Sequence, residues 1–104
     1  MSTAQFRFDP NDQDAIVGVQ DVSALLVGSF QINPCGYAWS AAEFTVAYDV
    51  GLGQWTAYPD LAVIDGTNRS SGRIDLSWVN AIALKVSTVE GTSRRWEGVF
   101  SGHG

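Results

Sequence analysis

Glu43-Phe44-Thr45-Val46-Ala47-Tyr48-Asp49 alternates large apolar residues with small or polar ones, and Ile82-Ala83-Leu84-Lys85-Val86-Ser87 repeats the pattern further on. Successive side chains of an extended chain point to opposite faces, so Phe44, Val46 and Tyr48 share one side of a strand, and Ile82, Leu84 and Val86 share one side of another. Ile74, Leu76 and Trp78, interleaved with Arg73, Asp75 and Ser77, offer a third stripe. Helix fails over 40–48 and 77–85, where Thr45, Val46, Val79 and Ile82 are β-branched and a Gly or Asp soon interrupts, leaving at most one helical turn at 77–80. Three apolar stripes need a common interior, and two stacked sheets supply one.

Outward from these segments, short runs of strand-forming residues recur every eight to twelve positions between Gly, Asn, Asp, Pro and Ser. The candidate strands are Gln5 to Phe8, Ala15 to Val19, Ser23 to Gln31, Glu43 to Tyr48, Gln54 to Tyr58, Leu61 to Ile64, Gly72 to Leu76, Ile82 to Thr88 and Arg95 to Phe100. This spacing predicts an all-β fold, an antiparallel sandwich or barrel, and the shared apolar stripes favour the β-sandwich, with about eight short strands. Asn33-Pro34-Cys35-Gly36, Asp65-Gly66-Thr67-Asn68 and Asp49-Val50-Gly51-Leu52-Gly53 carry turn chemistry. A single domain over 1–104 is expected, with the first residues and Ser101-Gly102-His103-Gly104 as flexible ends.

At 104 residues the chain buries roughly 65% of its unfolded surface, enough for a core without metal or disulfide. Charged residues make up only 16%, and 45% are hydrophobic, including four Trp, three Tyr and five Phe. Such a surface favours association with a partner or a second copy. Six bases against eleven acids argue against nucleic acid, which demands clustered Lys and Arg. The uncharged runs fall short of the ~20 apolar residues that cross a bilayer, so no membrane partner is expected. The first residues lack the pattern of a secretory signal, which implies synthesis in a cytoplasm.

Chemistry finds little foothold. The one histidine, His103, lies among glycines near the C-terminal end, and the one cysteine, Cys35, has no histidine partner and reads as an inert packing thiol. Glu43, Asp75, Glu90 and Glu97 fall at outward-looking positions, and Asp49, Asp60 and Asp65 where turns use Asp for local hydrogen bonds. Asp9-Pro10-Asn11-Asp12-Gln13-Asp14 begins like a calcium loop but has Asp14 where an EF-hand needs Gly and Gln20 where it needs Glu. No catalytic residue, metal or cofactor is therefore expected.

The aromatics are the candidates for binding. Trp55 and Trp78 read as core, Trp78 because it extends the stripe of Ile74 and Leu76. Trp39, in a loop-rich stretch with Pro34 and Tyr37, reads as an exposed contact. Trp96 follows Arg94 and Arg95, and an aromatic beside arginines is the composition of a protein–protein anchor. If that cluster is an anchor, Trp96→Ala loosens self-association; if Trp96 is core, the same change leaves any oligomer intact and lowers the melting temperature. Carbohydrate binding through Trp39 and Trp55 is the alternative, since aromatic faces stack on sugar rings.

Glu43 to Asp49 followed by Gly51, Gly53 and Trp55, then Gly72-Arg73-Ile74-Asp75-Leu76 and Ala81 to Ser87, resembles small jelly-roll modules of tailed-bacteriophage virion proteins. The resemblance spans Val22 to Val89 and rests on pattern, with no invariant signature. At this size it implies a capsid decoration, or cement, protein on the virion surface. Its partner would be the major capsid protein, and it would work as a homo-oligomer, a trimer suiting three-fold positions of a shell. The N-terminal segment with Phe6 and Phe8 would act as an arm that adds a strand to a neighbour.

Overall fold

A computed structural model describes residues 2–91 and 94–104. Eight strands run β1 Ser2–Phe8, β2 Ile16–Asp21, β3 Val27–Asn33, β4 Glu43–Asp49, β5 Thr56–Ala57, β6 Ile74–Asp75, β7 Ala81–Thr88 and β8 Trp96–His103, with no helix among the described residues. They form two antiparallel four-stranded sheets, ordered β1-β8-β3-β6 and β2-β7-β4-β5. Apart from the β4–β5 hairpin, each connection crosses from one sheet to the other, which is jelly-roll topology. The all-β sandwich read from the sequence is thus the fold observed.

The alternation explains the interior. Phe44 and Val46 of β4 and Ile82, Leu84 and Val86 of β7 are buried, against Phe30 and Ile32 of β3 and Trp96 and Phe100 of β8. β4 and β7 pair along their length, Phe44 opposite Val86 and Asp49 opposite Ala81. The facing sheet solves a volume problem: its inward positions on β8 read Trp96, Gly98, Phe100, Gly102, large alternating with absent side chains. Phe6 of β1 pairs with Gly98. A Cβ at either Gly98 or Gly18 would overlap the Phe6 ring, so that ring is clasped between the two sheets by two glycines. Gly28 likewise leaves room for Phe100, whose Cζ would lie 2.6 Å from an added Cβ.

Filling that space should cost stability. Gly98→Val is expected to lower the unfolding free energy by about 1–3 kcal/mol, the usual cost of overpacking. Adding Phe6→Leu should recover part of the loss. A double-mutant cycle from urea titrations checks this, and additive losses would refute the clasp.

Several sequence expectations shift. Both ends expected as flexible arms are strands: β1 pairs with β8 from Ser2 to Phe8, and β8 continues through His103, paired with β3 at Val27. Met1 lies outside the described residues. Gln54 to Tyr58 shortens to Thr56–Ala57, and Leu61 to Ile64 reduces to a single bridge between Ile64 and Phe44. Ser23 to Gln31 becomes Val27–Asn33, because Asp21 Oδ1 accepts from both the amide and the hydroxyl of Ser23 and turns the chain there. The stripe of Ile74 and Leu76 does not extend to Trp78. Asp75 Oδ1 accepts the Ser77 amide at 3.0 Å and the Val79 amide donates to the Leu76 carbonyl, so the strand becomes a turn and Trp78 emerges, 44% exposed. Cys35 is exposed on a turn with φ 55°, not packed inside.

Candidate functional site

The strand register places the loops in two opposed groups, about 24 Å apart along β8 at ~3.4 Å per residue. One end gathers the connections 9–15, 34–42 and 65–69 with residues 89–91 and 94–95; the other gathers 22–26, 50–55 and 76–80.

At the first end the structure brings together most of the residues singled out from the sequence, though several from the inside. Phe6, Phe8, Trp96 and Trp39 form an aromatic column, with ring centroids 5.7 Å apart for Phe6–Phe8, 6.3 Å for Phe8–Trp96 and 4.5 Å for Trp96–Trp39. Trp96 is fully buried and Phe8 is buried, so neither lies on the surface as expected; Phe6 is partly buried against the core. The reason is parity, since Trp96 shares the inward side of β8 with Phe100. Trp39 is half-buried, its indole N–H donating to the Ala42 carbonyl at 2.8 Å and its ring edge-on to Trp96 at 80°.

Glu90 fastens this end. It is only 7% exposed, accepting the Ser40 hydroxyl at 2.6 Å through Oε1 and the amides of Ala41 and Ala42 at 3.1 and 3.0 Å through Oε2. Burial alone would raise its pKa; the hydrogen bonds from Ser40, Ala41 and Ala42, with Arg94 nearby, outweigh that and hold it below the usual value. The carboxylate expected to look outward is an internal latch between two loops.

Arg94 and Arg95 are both exposed, as an anchor would be. The Arg94 guanidinium lies over the Tyr37 ring, 4.6 Å from its centroid, and Arg69 lies 5.6 Å from that of Trp39. Burial, with Glu90 beside it, pushes the Tyr37 hydroxyl up to about 12, so it stays protonated, and it reaches the Arg95 carbonyl at 3.5 Å. Arg7, Phe8, Asp9, Arg94 and Arg95 line an open hollow of about 420 Å³. Arg7 also pairs with Glu97 at 3.2 Å, an exposed contact of little energetic weight. Slight desolvation of this exposed thiol, then Glu97 beside it, raise the Cys35 pKa, the opposite of what an activated thiol needs. Among the described residues no group of three or more His, Cys, Asp or Glu could hold a metal ion.

The second end carries the feature that sequence reasoning missed. Trp78 packs edge-on to Tyr48, with centroids 4.7 Å apart, and tilted against Tyr58 at 5.4 Å. Tyr58 ties the sheets by donating its hydroxyl to the Asp75 carbonyl at 2.6 Å; burial raises its pKa, with Asp75 adding to the effect. Exposed apolar side chains stand on the same group of loops: Leu52 at 77%, Leu26 at 59% and Val50 at 44%. Asp49 Oδ1 accepts the amides of Gly51, Leu52 and Gly53, setting the loop that presents Leu52. Gly51 and Gly53 there adopt φ of 101° and 74°, a region open to glycine. The turn residues announced that loop; the exposure of Trp78 follows from the Asp75 turn, which no periodicity reveals.

Compared with known proteins, no family model matches the chain. No curated protein matches it in sequence. Among solved structures it resembles the SPBc2 prophage-derived protein YomS, with a TM-score of 0.57, 13% identity, and 97% of this chain and 96% of that one covered. It also resembles the PBSX exported protein XepA, with a TM-score of 0.54, 12% identity and 97% of this chain covered, and spans 39% of that longer protein. At these identities the likeness is one of fold, shared with a prophage-derived protein and an exported protein.

Proposed function

We propose that this chain is a non-enzymatic structural component of a tailed-phage virion, a capsid decoration protein that binds the head shell and stabilises it as a homo-oligomer. The observation carrying the reading is the surface at the Trp78 end, where an indole, two leucines and a valine face outward from strands and turns that hydrogen bonds hold fixed. Apolar area displayed on a rigid scaffold suits burial against a partner. The jelly-roll fold shared with the prophage-derived protein YomS and the low charge support the same reading. A triad is poorly served by the layout, since His103 pairs with Val27 at one end and Cys35 sits on the turn after β3 at the other.

The test is co-sedimentation of the purified protein with phage heads lacking their decoration protein, alongside light scattering to fix its mass. Saturable binding by a trimer is expected. A monomer that stays in the supernatant would overturn the reading. Binding of soluble oligosaccharides with a shift in tryptophan fluorescence would favour a carbohydrate-binding module; its platform would then be Trp78, because Trp39 is committed edge-on to Trp96 and Phe44.

A further inference from the structure

The two ends of the sandwich differ in chemistry in a way that makes them complementary. The Trp78 end also carries two carboxylates, Asp49 and Asp75, each accepting backbone amides of its own turn through Oδ1. Asp75 precedes the Trp78 turn, and Asp49 is joined to it through the Asn80 amide, which donates to the Asp49 carbonyl at 3.0 Å. An exposed indole on an end that also carries carboxylates suits a guanidinium, which can take a ring face and an oxygen anion at once. The opposite end supplies guanidinium groups. In a chain of net charge −5, Arg7, Arg94 and Arg95 meet around one open hollow with Asp9 as the opposing acid in its lining.

We infer that the Trp78 end of one copy seats on the Arg94–Arg95 end of the next, in a head-to-tail contact between identical chains. Arg94 is already laid on Tyr37, which holds its guanidinium in place at the hollow it lines. Leu52, the most exposed large apolar side chain among the described residues, would seat in that hollow, where Phe8 is the apolar residue of the lining. A contact between two different patches is heterologous: it closes into a ring when the rotation between copies allows and otherwise grows as a filament. The inference rests on the reading of the chain as a self-associating structural protein and adds to it the pair of surfaces involved.

The experiment uses the full chain and three variants, Trp78→Ala, Leu52→Asp and the double change Arg94→Glu with Arg95→Glu, with mass measured by analytical ultracentrifugation over a concentration series. Each variant is expected to weaken self-association by about 30-fold or more, the loss of a hot-spot residue, while its circular dichroism stays that of the wild type. Leu52 is on a loop tip, so its variant reports on association even if Trp78→Ala loosens the turn. Higher salt should weaken the wild-type assembly, because the charges involved are exposed.

The decisive sample is a mixture of Trp78→Ala with the double arginine variant. One retains an intact arginine end and the other an intact Trp78 end, so a head-to-tail contact leaves one working junction and yields a one-to-one heterodimer. A mixture that stays monomeric overturns the inference, and assemblies indifferent to Leu52→Asp or to the arginine changes overturn it outright. A wild type that is monomeric yet co-sediments with heads sinks this inference while leaving the proposed function standing. An oligomer that assembles as described but ignores heads does the reverse.

Discussion

Replacing Trp96 with alanine is expected to remove about 3–5 kcal/mol of stability, the cost of emptying a large aromatic site in a packed interior. The indole is fully buried and touches Phe8 from β1, Tyr37 and Trp39 from the 34–42 loop and Phe44 from the opposite sheet, so it joins both layers and a loop at one point. Domains of this size hold about 5–15 kcal/mol in all, and about 4–8 °C of melting temperature accompanies each kcal/mol. A fall of ten degrees or more in a thermal scan is therefore the expected result.

Trp96→Phe should be much milder, because the buried Nε1 of Trp96 has no hydrogen-bond partner among the described residues and phenylalanine removes that orphaned donor together with some volume. Should Trp96→Ala instead melt like the wild type and run as a smaller oligomer, its burial here would be refuted. The tryptophan would then be an intermolecular anchor, as the neighbouring arginines suggest when the sequence is read alone.

That contrast shows where the sequence speaks and where it falls silent. The strands Glu43–Asp49 and Ala81–Thr88 are legible because their inward residues are all large and apolar, so period two stands out. β8 has the same period, but two of its inward places are glycines. Glycine registers in a sequence as a breaker, which is why Gly102 made 101–104 look like a tail. In the folded chain it is needed for the opposite reason: an added Cβ there would press on Leu25 and Phe100. The space a glycine leaves can be understood only with the ring that fills it, and those rings come from strands distant in sequence.

The candidate site divides the same way. Arg94 and Arg95 are exposed as their charge implies, and Trp39 does sit on the loop that composition suggested. Trp78 was hidden by its own pattern: its parity with Ile74 and Leu76 signals interior, and only the hydrogen bond from Ser77 to Asp75 reveals that the strand has ended before it. Carboxylates at turns are read easily as local caps, and Asp21, Asp65 and Asp75 fit: amides or hydroxyls within three residues hold each below the usual pKa. Glu90 differs because its donors lie 48 to 50 residues away, a separation at which no sequence motif operates.

Glu90→Ala is accordingly expected to cost about 2–4 kcal/mol, since it strands the buried Ala42 amide, worth about 1–3 kcal/mol without a partner, and removes the hydrogen bonds to Ser40 and Ala41, which lie at the surface and can turn to water. Ala42 is itself buried, so water does not readily replace the carboxylate there. Glu90→Gln keeps one acceptor oxygen but turns an N–H group toward donors, and should fall between the two.

The pH dependence follows from the lowered pKa. In acid the unfolded chain takes up the proton before the folded one does, so the stability due to Glu90 is complete above its ordinary pKa of 4.5 and is lost as pH drops through the lower folded value. Urea titrations at pH 7 and pH 3 should therefore show a large gap between wild type and Glu90→Ala at neutrality and a narrower one in acid. A gap of equal size at both would mean the side chain acts by filling space, without its charge. Because Glu90 holds the segment that carries Tyr37 and Trp39, faster amide exchange at 40–42 should accompany the loss, and the Arg94 platform over Tyr37 should loosen with it. Weaker self-association of Glu90→Ala at neutral pH, in a chain whose sheets still melt cooperatively, would tie this internal latch to the surface it supports.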